Sequence, residues 1–427
     1  MLALPFITHG MQRPLNRLLA SASAGLLGMC GPAQAGPIQS LLGLPDWMDL
    51  SVDYTTEPMG GMLGGLNPAA TSWFQETVVG LSMSSGLNKE ESTWQEIDHW
   101  QVNLELTNAA GDPNLNTELG SVFTLQTLVI PVGTWITEAN ISRNRGGSWW
   151  DAQAGLMSMD PEFLVAPAYN NYINSTLNNT LNLLVVGLPI NPFVAPAVKL
   201  GAHSDNLGSI KYGYFYLNPE TSIAASLGTD PEQPDVQGSL QALQWQINPL
   251  RKRKDLFEPI RVRNSRVTVA RQLPLPLMQL GGYYATTKLL IEGAGEIGDG
   301  ANRGLYASLT WPIELPVGLD NRIWLAGSLG LDPDNNPVPT YGAGGWLSQG
   351  VLPNRPLDVL ALGLTRSSFS PTLTPGMTYE GVIELNYSIY ISDVVQVQPV
   401  MQWLINPSGS GEVPGVWAGG VQLNLNL

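Results

Sequence analysis

The chain of 427 residues contains little of what enzymes and metal proteins commonly use. It has one cysteine, three histidines and only 13% charged residues. A single cysteine cannot form an intrachain disulfide, and so few thiols and imidazoles argue against a zinc site or histidine-based acid–base catalysis. Basic residues number 20 against 35 acidic ones, which disfavours nucleic acid as a partner. We therefore expect no cofactor, no metal and no enzymatic activity.

Long apolar runs are also missing, apart from one short stretch near the start. Arg13 and Arg17 precede a small-residue apolar segment at 18–31, and "AQA" at 33–35 has the pattern of a cleavage site. We interpret 1–35 as a secretory signal peptide, with Met11 as an alternative start, and expect 36–427 to form one exported domain. Cleavage removes Cys30 and leaves 18 basic and 35 acidic residues, a formal net charge of −17. No later segment reaches the roughly 18 apolar residues of a membrane-spanning helix.

Short segments of alternating character dominate the remaining chain. The final residues, "WAGGVQLNLNL" at 417–427, place Trp, Gly, Val and Leu on one parity and Gln and Asn on the other. Segments 48–54, 100–107, 379–391 and 394–403 alternate in the same way. A period of 2 is typical of strands with one apolar and one polar face. Turn signals separate the segments without βαβ spacing, so an antiparallel all-β fold is predicted.

The composition of the two faces indicates a transmembrane β-barrel. The polar faces carry Gln, Asn, Glu, Ser and Thr, and the apolar faces often end in an aromatic residue, as at Trp100, Trp311, Trp403 and Trp417. In lipid every backbone polar group must be paired, so the sheet has to close, and we expect the last strand to pair with the first, near 48–54. The 392 residues after the signal suit about 16 strands, with short turns on one side and longer loops on the other. The alternative is an exported β-sandwich or β-solenoid.

Several segments together resemble the OprB-type carbohydrate-selective porin family of bacterial outer membranes. "GVLPNRPLDVLALGL" at 350–364 and the final hairpin at 379–411, with E-L-N-Y, Q-P-x-x-Q and I-N-P-x-G, carry most of the resemblance. Further similar segments lie at 48–60, 154–163, 280–287 and 302–307. Two positions depart from the family pattern: Leu156 follows Gly155 where a basic residue is frequent, and Leu427 ends the chain where an aromatic residue is usual.

The resemblance implies an outer-membrane porin through which small polar solutes diffuse passively. Carbohydrates are the expected class of solute. The expected partners are these solutes and outer-membrane lipids, with a homo-trimer as the candidate assembly. Three alternatives remain open from the residues alone. They are a channel for inorganic ions or small anions, a structural barrel of the envelope, and an exported β-protein that binds or cleaves glycans.

A basic segment, "RKRKDLFEPIRVRNSR" at 251–266, contrasts with the acidic chain. Arg261 and Arg263 share one face of a predicted strand and could line a constriction opposite Glu380 and Glu384. Crossed charges of this kind, together with aromatic residues, would orient a polyol through its hydroxyls. The alternative is a solvated loop facing lipid head groups. Alternation adds three amide side chains to the candidate pore-lining set, Asn386, Gln398 and Gln402.

Three other motifs have simpler explanations. "GAGEIG" at 293–298 fits G-x-G-x-x-G but is followed by a turn, so a hairpin loop is the better interpretation than a nucleotide site. "DPDNNP" at 332–337 begins like a calcium loop but has Pro337 where glycine is required. Paired acids such as Glu90 and Glu91 could suggest a glycosidase, yet nothing places two carboxylates around one sugar bond.

Overall fold

The computed structural model describes residues 38, 42–45, 47–85, 99–112, 114–127, 132–144, 149–160, 162–179, 189, 193–218, 238–263, 265, 267–286, 289–291, 295–297 and 301–427. The predicted signal peptide and residues 293, 294 and 298 of "GAGEIG" lie outside these ranges. Helices within them are short: Leu115–Leu119, Ser175–Asn178 and the 3-10 turns Tyr169–Asn171, Lys254–Leu256 and Pro407–Gly409. No helix in the described ranges is long and apolar enough to cross a membrane.

Sixteen strands form one closed antiparallel barrel, which confirms the predicted fold class and strand number. Each barrel strand pairs with the next barrel strand along the chain. The barrel strands are β1 Met48–Leu63, β2 Thr71–Ser84, β3 His99–Gly111, β4 Gly133–Asn144, β5 Trp150–Met157, β6 Ala195–Ser204, β7 Gly208–Leu217, β8 Gly238–Ile247, β11 Leu277–Ala285, β14 Asn302–Pro312, β15 Asp320–Gly330, β16 Thr340–Gln349, β17 Val359–Ser368, β18 Tyr379–Tyr390, β19 Val395–Ile405 and β20 Val416–Asn426. Two small ribbons pair β9 Ile260–Arg261 with β10 Thr268–Val269, and β12 Leu289–Ile291 with β13 Gly295–Ile297.

The barrel closes where the sequence predicted, between β20 and β1. Thr55 lies opposite Asn424, and its hydroxyl donates to the Asn424 side-chain oxygen at 2.9 Å. Leu427 donates its backbone N–H to the Val52 carbonyl at 2.9 Å, and the Val52 N–H returns a bond to the Leu427 carbonyl at 3.1 Å. The last residue is therefore held by the first strand, and neither strand is left as an unpaired edge.

The two faces of the strands separate by parity as a membrane barrel requires. On β18, Leu385 points outward and is 41% exposed, whereas its neighbours Glu384 and Asn386 point inward and are buried. On β7, Tyr212 and Tyr214 are exposed outside and Phe215 is buried inside. An apolar exterior and a polar interior are typical of a barrel that has lipid outside and water inside.

The two ends of the barrel differ. At one end, here called the terminal mouth, β1 begins and β20 ends, and most connections are short, as at 205–207, 313–319 and 391–394. The opposite end, the loop mouth, receives longer connections such as 112–132 and 158–194. The connection 248–276 is an exception, because it is long and lies at the terminal mouth.

Aromatic side chains mark both rims of the barrel. Trp403 and Trp417 stack at the loop mouth with ring centroids 5.7 Å apart, and both are exposed outside. Trp47, Trp100 and Trp149 are exposed at the terminal mouth. Two such bands are typical of the membrane–water interfaces, where a ring can face lipid while its polar edge meets water.

The lipid-facing assignment predicts an asymmetric response to charge. Leu385→Arg, on the outside of β18, should impair assembly because arginine near the bilayer midplane costs about 2–4 kcal/mol. Asn424→Arg, on the partly exposed inside of β20, is the control and should assemble normally. Heat-modifiable migration on gels measures the folded fraction, and equal losses for both variants would contradict the assignment.

Candidate functional site

Two connections from the loop mouth fold into the barrel and pack on its inner wall. The described residues of 112–127 form the first inward loop and those of 158–179 form the second. In the second loop, the Tyr172 hydroxyl donates to the Leu362 carbonyl at 3.0 Å and accepts from the Trp324 indole N–H at 2.8 Å. Tyr341 of β16 donates to the Thr176 carbonyl of the same loop at 2.7 Å. The lumen is therefore partly filled by the chain itself along β15–β19.

Two inward-facing glycines allow the second loop to approach the wall closely. A Cβ added at Gly345 would lie 2.4 Å from the Tyr172 hydroxyl oxygen, and one at Gly363 would lie 2.5 Å from the Tyr172 ring. Contacts this short cannot be accommodated without moving the ring or the strand. Glycine at these two positions makes room for the tyrosine.

Glu384 is the main anchor of the second inward loop. Its carboxylate accepts from the backbone N–H groups of Ile173 at 2.9 Å and Asn174 at 2.7 Å. It also accepts from the side-chain amides of Asn386 at 2.6 Å and Gln402 at 3.0 Å. A buried carboxylate is costly unless it is well supplied with donors, and here four donors replace its lost water.

The three candidate amide side chains, Asn386, Gln398 and Gln402, form further hydrogen bonds to the inward loops. Asn386 and Gln398 both donate to the Asn171 carbonyl, at 2.8 and 3.1 Å. Gln402 donates to the Leu125 carbonyl of the first inward loop at 2.8 Å, besides its bond to Glu384. The amides thus hold both inward loops to the wall formed by β18 and β19.

Glu380 anchors the first inward loop near the loop mouth. Its carboxylate accepts from the Ser121 hydroxyl at 2.7 Å and from the backbone N–H groups of Val122 at 3.1 Å and Phe123 at 3.3 Å. It also accepts from the backbone N–H of Ser408 at 2.9 Å, in the connection between β19 and β20. One carboxylate therefore joins two connections of the loop mouth.

The structure brings five of the seven candidate residues together and separates the other two. Glu380, Glu384, Asn386, Gln398 and Gln402 lie on the inner wall, as alternation predicted, but each is at most 2% exposed because the inward loops cover it. Their side chains hold the loops rather than border open water. The loops that cover them were missed, since no local pattern shows where a long connection will pack.

Arg261 and Arg263 lie in the connection 248–276 at the terminal mouth, exposed. The predicted strand carrying both is wrong: β9 ends at Arg261, and the chain turns back as the Val262 N–H bonds to the Val267 carbonyl at 3.0 Å. Arg261 donates to the Ser265 carbonyl at 2.8 Å and Arg263 to the Pro316 carbonyl at 3.1 Å. Neither is paired with Glu380 or Glu384. Arg266, also in this basic segment, lies outside the described residues.

Two inward-facing lysines, on β6 and β7, pair with one carboxylate of the second inward loop. Glu162 lies 3.1 Å from the Lys199 ammonium and 2.5 Å from the Lys211 ammonium. Burial alone would raise the pKa of Glu162, but the two ammonium groups outweigh it and hold the pKa at about 2. Because the pKa is depressed, the ion pairs stabilise the fold at ordinary pH, and this stabilisation is lost progressively as the pH falls from the ordinary carboxyl pKa of 4.5 to about 2.

The "DPDNNP" segment forms the connection between β15 and β16. Asp332 accepts three bonds from Arg303, one from its backbone N–H and two from its guanidinium, between 2.6 and 3.0 Å. These bonds lower the pKa of Asp332. The segment behaves as a structured loop in which the first carboxylate is engaged by arginine.

A closed sixteen-stranded barrel with an apolar exterior, a polar interior and loops folded into the lumen defines an outer-membrane porin. Porins of this fold are known as channels rather than as enzymes. Residues 298–427 match the family described as "Carbohydrate-selective porin, OprB family", so the resemblance is confirmed over that segment.

One solved structure shares the fold over nearly the whole chain. A structure of Pseudomonas putida OprB at high pH superposes with a TM-score of 0.73 at 15% identity, covering 92% of this chain and 96% of that one. The low-pH structure of the same protein gives 0.49 at 11% identity, with 91% and 95% covered. A variant of a Rh. blastica porin gives 0.45 at 11% identity, with 88% and 100% covered. A comparison with curated protein sequences found no significant match.

Loss of the Glu384 anchor should open the lumen. Glu384→Ala removes the acceptor of four hydrogen bonds, and bonds to a charged group are worth about 1.5–3 kcal/mol each. We expect the second inward loop to detach, so that single-channel conductance rises and becomes noisier while the barrel stays folded. Glu412→Ala, an exposed residue of the loop mouth, is the control. A Glu384→Ala channel with normal conductance would contradict the anchoring role.

Proposed function

We propose that the chain forms a passive, water-filled pathway through the outer membrane for small polar solutes, with carbohydrates as the main class. The observation that carries the proposal is the closed barrel itself, since a sheet with an apolar outside and polar inside separates lipid from water. No chemical step and no energy source are needed, because the solute moves down its own gradient.

Carbohydrates suit what the inner surface offers. The partly exposed inward residues include hydroxyls and amides such as Ser51, Thr55, Asn103 and Asn424. These groups both donate and accept hydrogen bonds, as sugar hydroxyls do, so they are suited to bind them. The description of the family matched at 298–427 supports the same class.

The aromatic part of the earlier hypothesis is less well supported. Inward aromatic residues in the described part of the barrel, such as Tyr283, Tyr306 and Trp324, are buried in the packing beneath the inward loops. We therefore base the sugar proposal on hydroxyl and amide contacts and on the width left by the loops, and not on stacking.

Two further points belong to the same proposal. We propose that the chain works as a homo-trimer, which native mass measurement would test. We also propose that residues 1–35 are removed during export. Sequencing of the envelope form should then begin at or near Gly36, and a start upstream of Arg17 would contradict a cleaved leader.

Liposome swelling tests the function and separates it from the alternatives. Liposomes containing the protein should swell in a monosaccharide, more slowly in a disaccharide, and hardly at all in a large oligosaccharide. A structural barrel or an exported glycan-active protein predicts no swelling in any sugar. Swelling with salts alone would favour the ion-channel alternative, in which the exposed Arg261 and Arg263 would set the ion selectivity.

A further inference from the structure

The charges on the first five barrel strands are sorted by face. β1–β5 contain seven acidic residues, and all lie on the inward parity: Asp49, Asp53, Glu57, Glu76, Glu105, Glu138 and Asp151. The one Lys or Arg in these strands is Arg143, which lies opposite the outward Trp100 and places its guanidinium 3.9 Å from the centre of the Trp150 ring. The inner face of these five strands therefore carries seven carboxylates and no lysine or arginine. His99 of β3 lies on the same face, and Asp151 pairs with His203 of β6.

Basic groups elsewhere on the described inner wall are already engaged. Lys199 and Lys211 share Glu162, and Arg322 and Arg271 both pair with Asp320. These groups lie outside β1–β5, and each cluster sets two basic side chains against one carboxylate. Their two net positive charges are fewer than the seven carboxylates of β1–β5. Water in the lumen therefore meets a negative potential from β1–β5 that the opposite side does not balance.

Two carboxylates stand side by side at mid-height of this wall. Glu105, in the middle of β3, is the register partner of Glu138 on β4, and both remain partly exposed. Like charges directly opposite each other destabilise a sheet. A like-charged pair in this position, with no lysine or arginine on the inner face of its own five strands, points to a role in the lumen and not in the fold.

Local structure orients the pair. The strand register shifts beside Glu105, which leaves Thr137 as an extra residue, and its hydroxyl donates to Glu105 Oε1 at 2.7 Å. Gln153 and Asn140 donate to Glu138 Oε1, at 2.9 and 2.5 Å. Within the described part of the chain, Oε2 of each carboxylate receives no protein donor. One oxygen of each group is thus fixed by the barrel, and the other is left for water or a passing solute.

We propose that Glu105 and Glu138 are the charge filter of the lumen, favouring inorganic cations and amine-bearing sugars over anionic solutes. The inference rests on the proposed function as a water-filled pathway. The pair acts through its field on solutes in transit, and a narrow lumen screens that field less than an open surface does. Neutral sugars pass without penalty because they carry no charge for the field to act on.

Reversal potentials in planar bilayers under a KCl gradient test the filter. The wild-type channel should prefer K⁺, and Glu105→Gln/Glu138→Gln should reduce the ratio of K⁺ to Cl⁻ permeability by about threefold or more, since the acidic pair then adds no negative charge to the pathway. Glutamine keeps the bulk and the acceptor oxygen, so the barrel should stay heat-modifiable. Asp334→Asn/Glu412→Gln is the matched control, because it removes two exposed charges in connections at the loop mouth.

Liposome swelling provides a second readout with charged sugars. Wild type should admit glucosamine faster than glucose and glucose faster than gluconate, and the three rates should converge in the double variant. A conducting wild type that prefers chloride, or a double variant with unchanged potential and rates, would overturn the filter and leave the porin proposal intact. A folded wild-type barrel without current or swelling would instead overturn the porin proposal and the filter with it.

Discussion

Closure of the backbone hydrogen-bond network is the constraint on which the structure depends. A strand in lipid cannot leave its N–H and C=O groups unpaired, so the sheet must return to its own first strand. Here the return is made by β20 on β1, down to the mutual bonds between Val52 and Leu427. Once the sheet is closed, parity fixes the rest: every second side chain faces lipid and the others face the lumen.

Closure creates a lumen too wide for wall side chains alone to fill, and the inward loops occupy part of it. Loops inside a barrel bring backbone N–H groups that need acceptors, and the wall supplies them as the carboxylates of Glu380 and Glu384. The wall at β15–β19, which the inward loops cover, and the acidic wall at β1–β5, where Glu105 and Glu138 remain partly exposed, are therefore different uses of the same inward parity. The first narrows the lumen, and the second sets its charge.

The fold was largely predictable from the sequence because strand parity is a local property. The alternation at 379–391 correctly placed Leu385 outside and Asn386 inside, and the last strand correctly paired with the first. The candidate site was predictable only in part. Parity placed Glu384 and Gln402 inside, yet parity does not show that both are buried. Their burial depends on a loop that is distant in sequence: Asn174, which donates to Glu384, lies more than 200 positions before it. Arg261 and Arg263 failed as a strand because a tight turn at 262–267 overrides their spacing.

The central claim is that the protein is an open pathway narrowed by its own loops. Single-channel recording in the presence of neutral polymers of graded size tests it most directly. The account predicts discrete current steps that small polymers reduce, because they enter the lumen, and that large polymers leave unchanged. A folded barrel without steps, or equal reduction by polymers of every size, would contradict it.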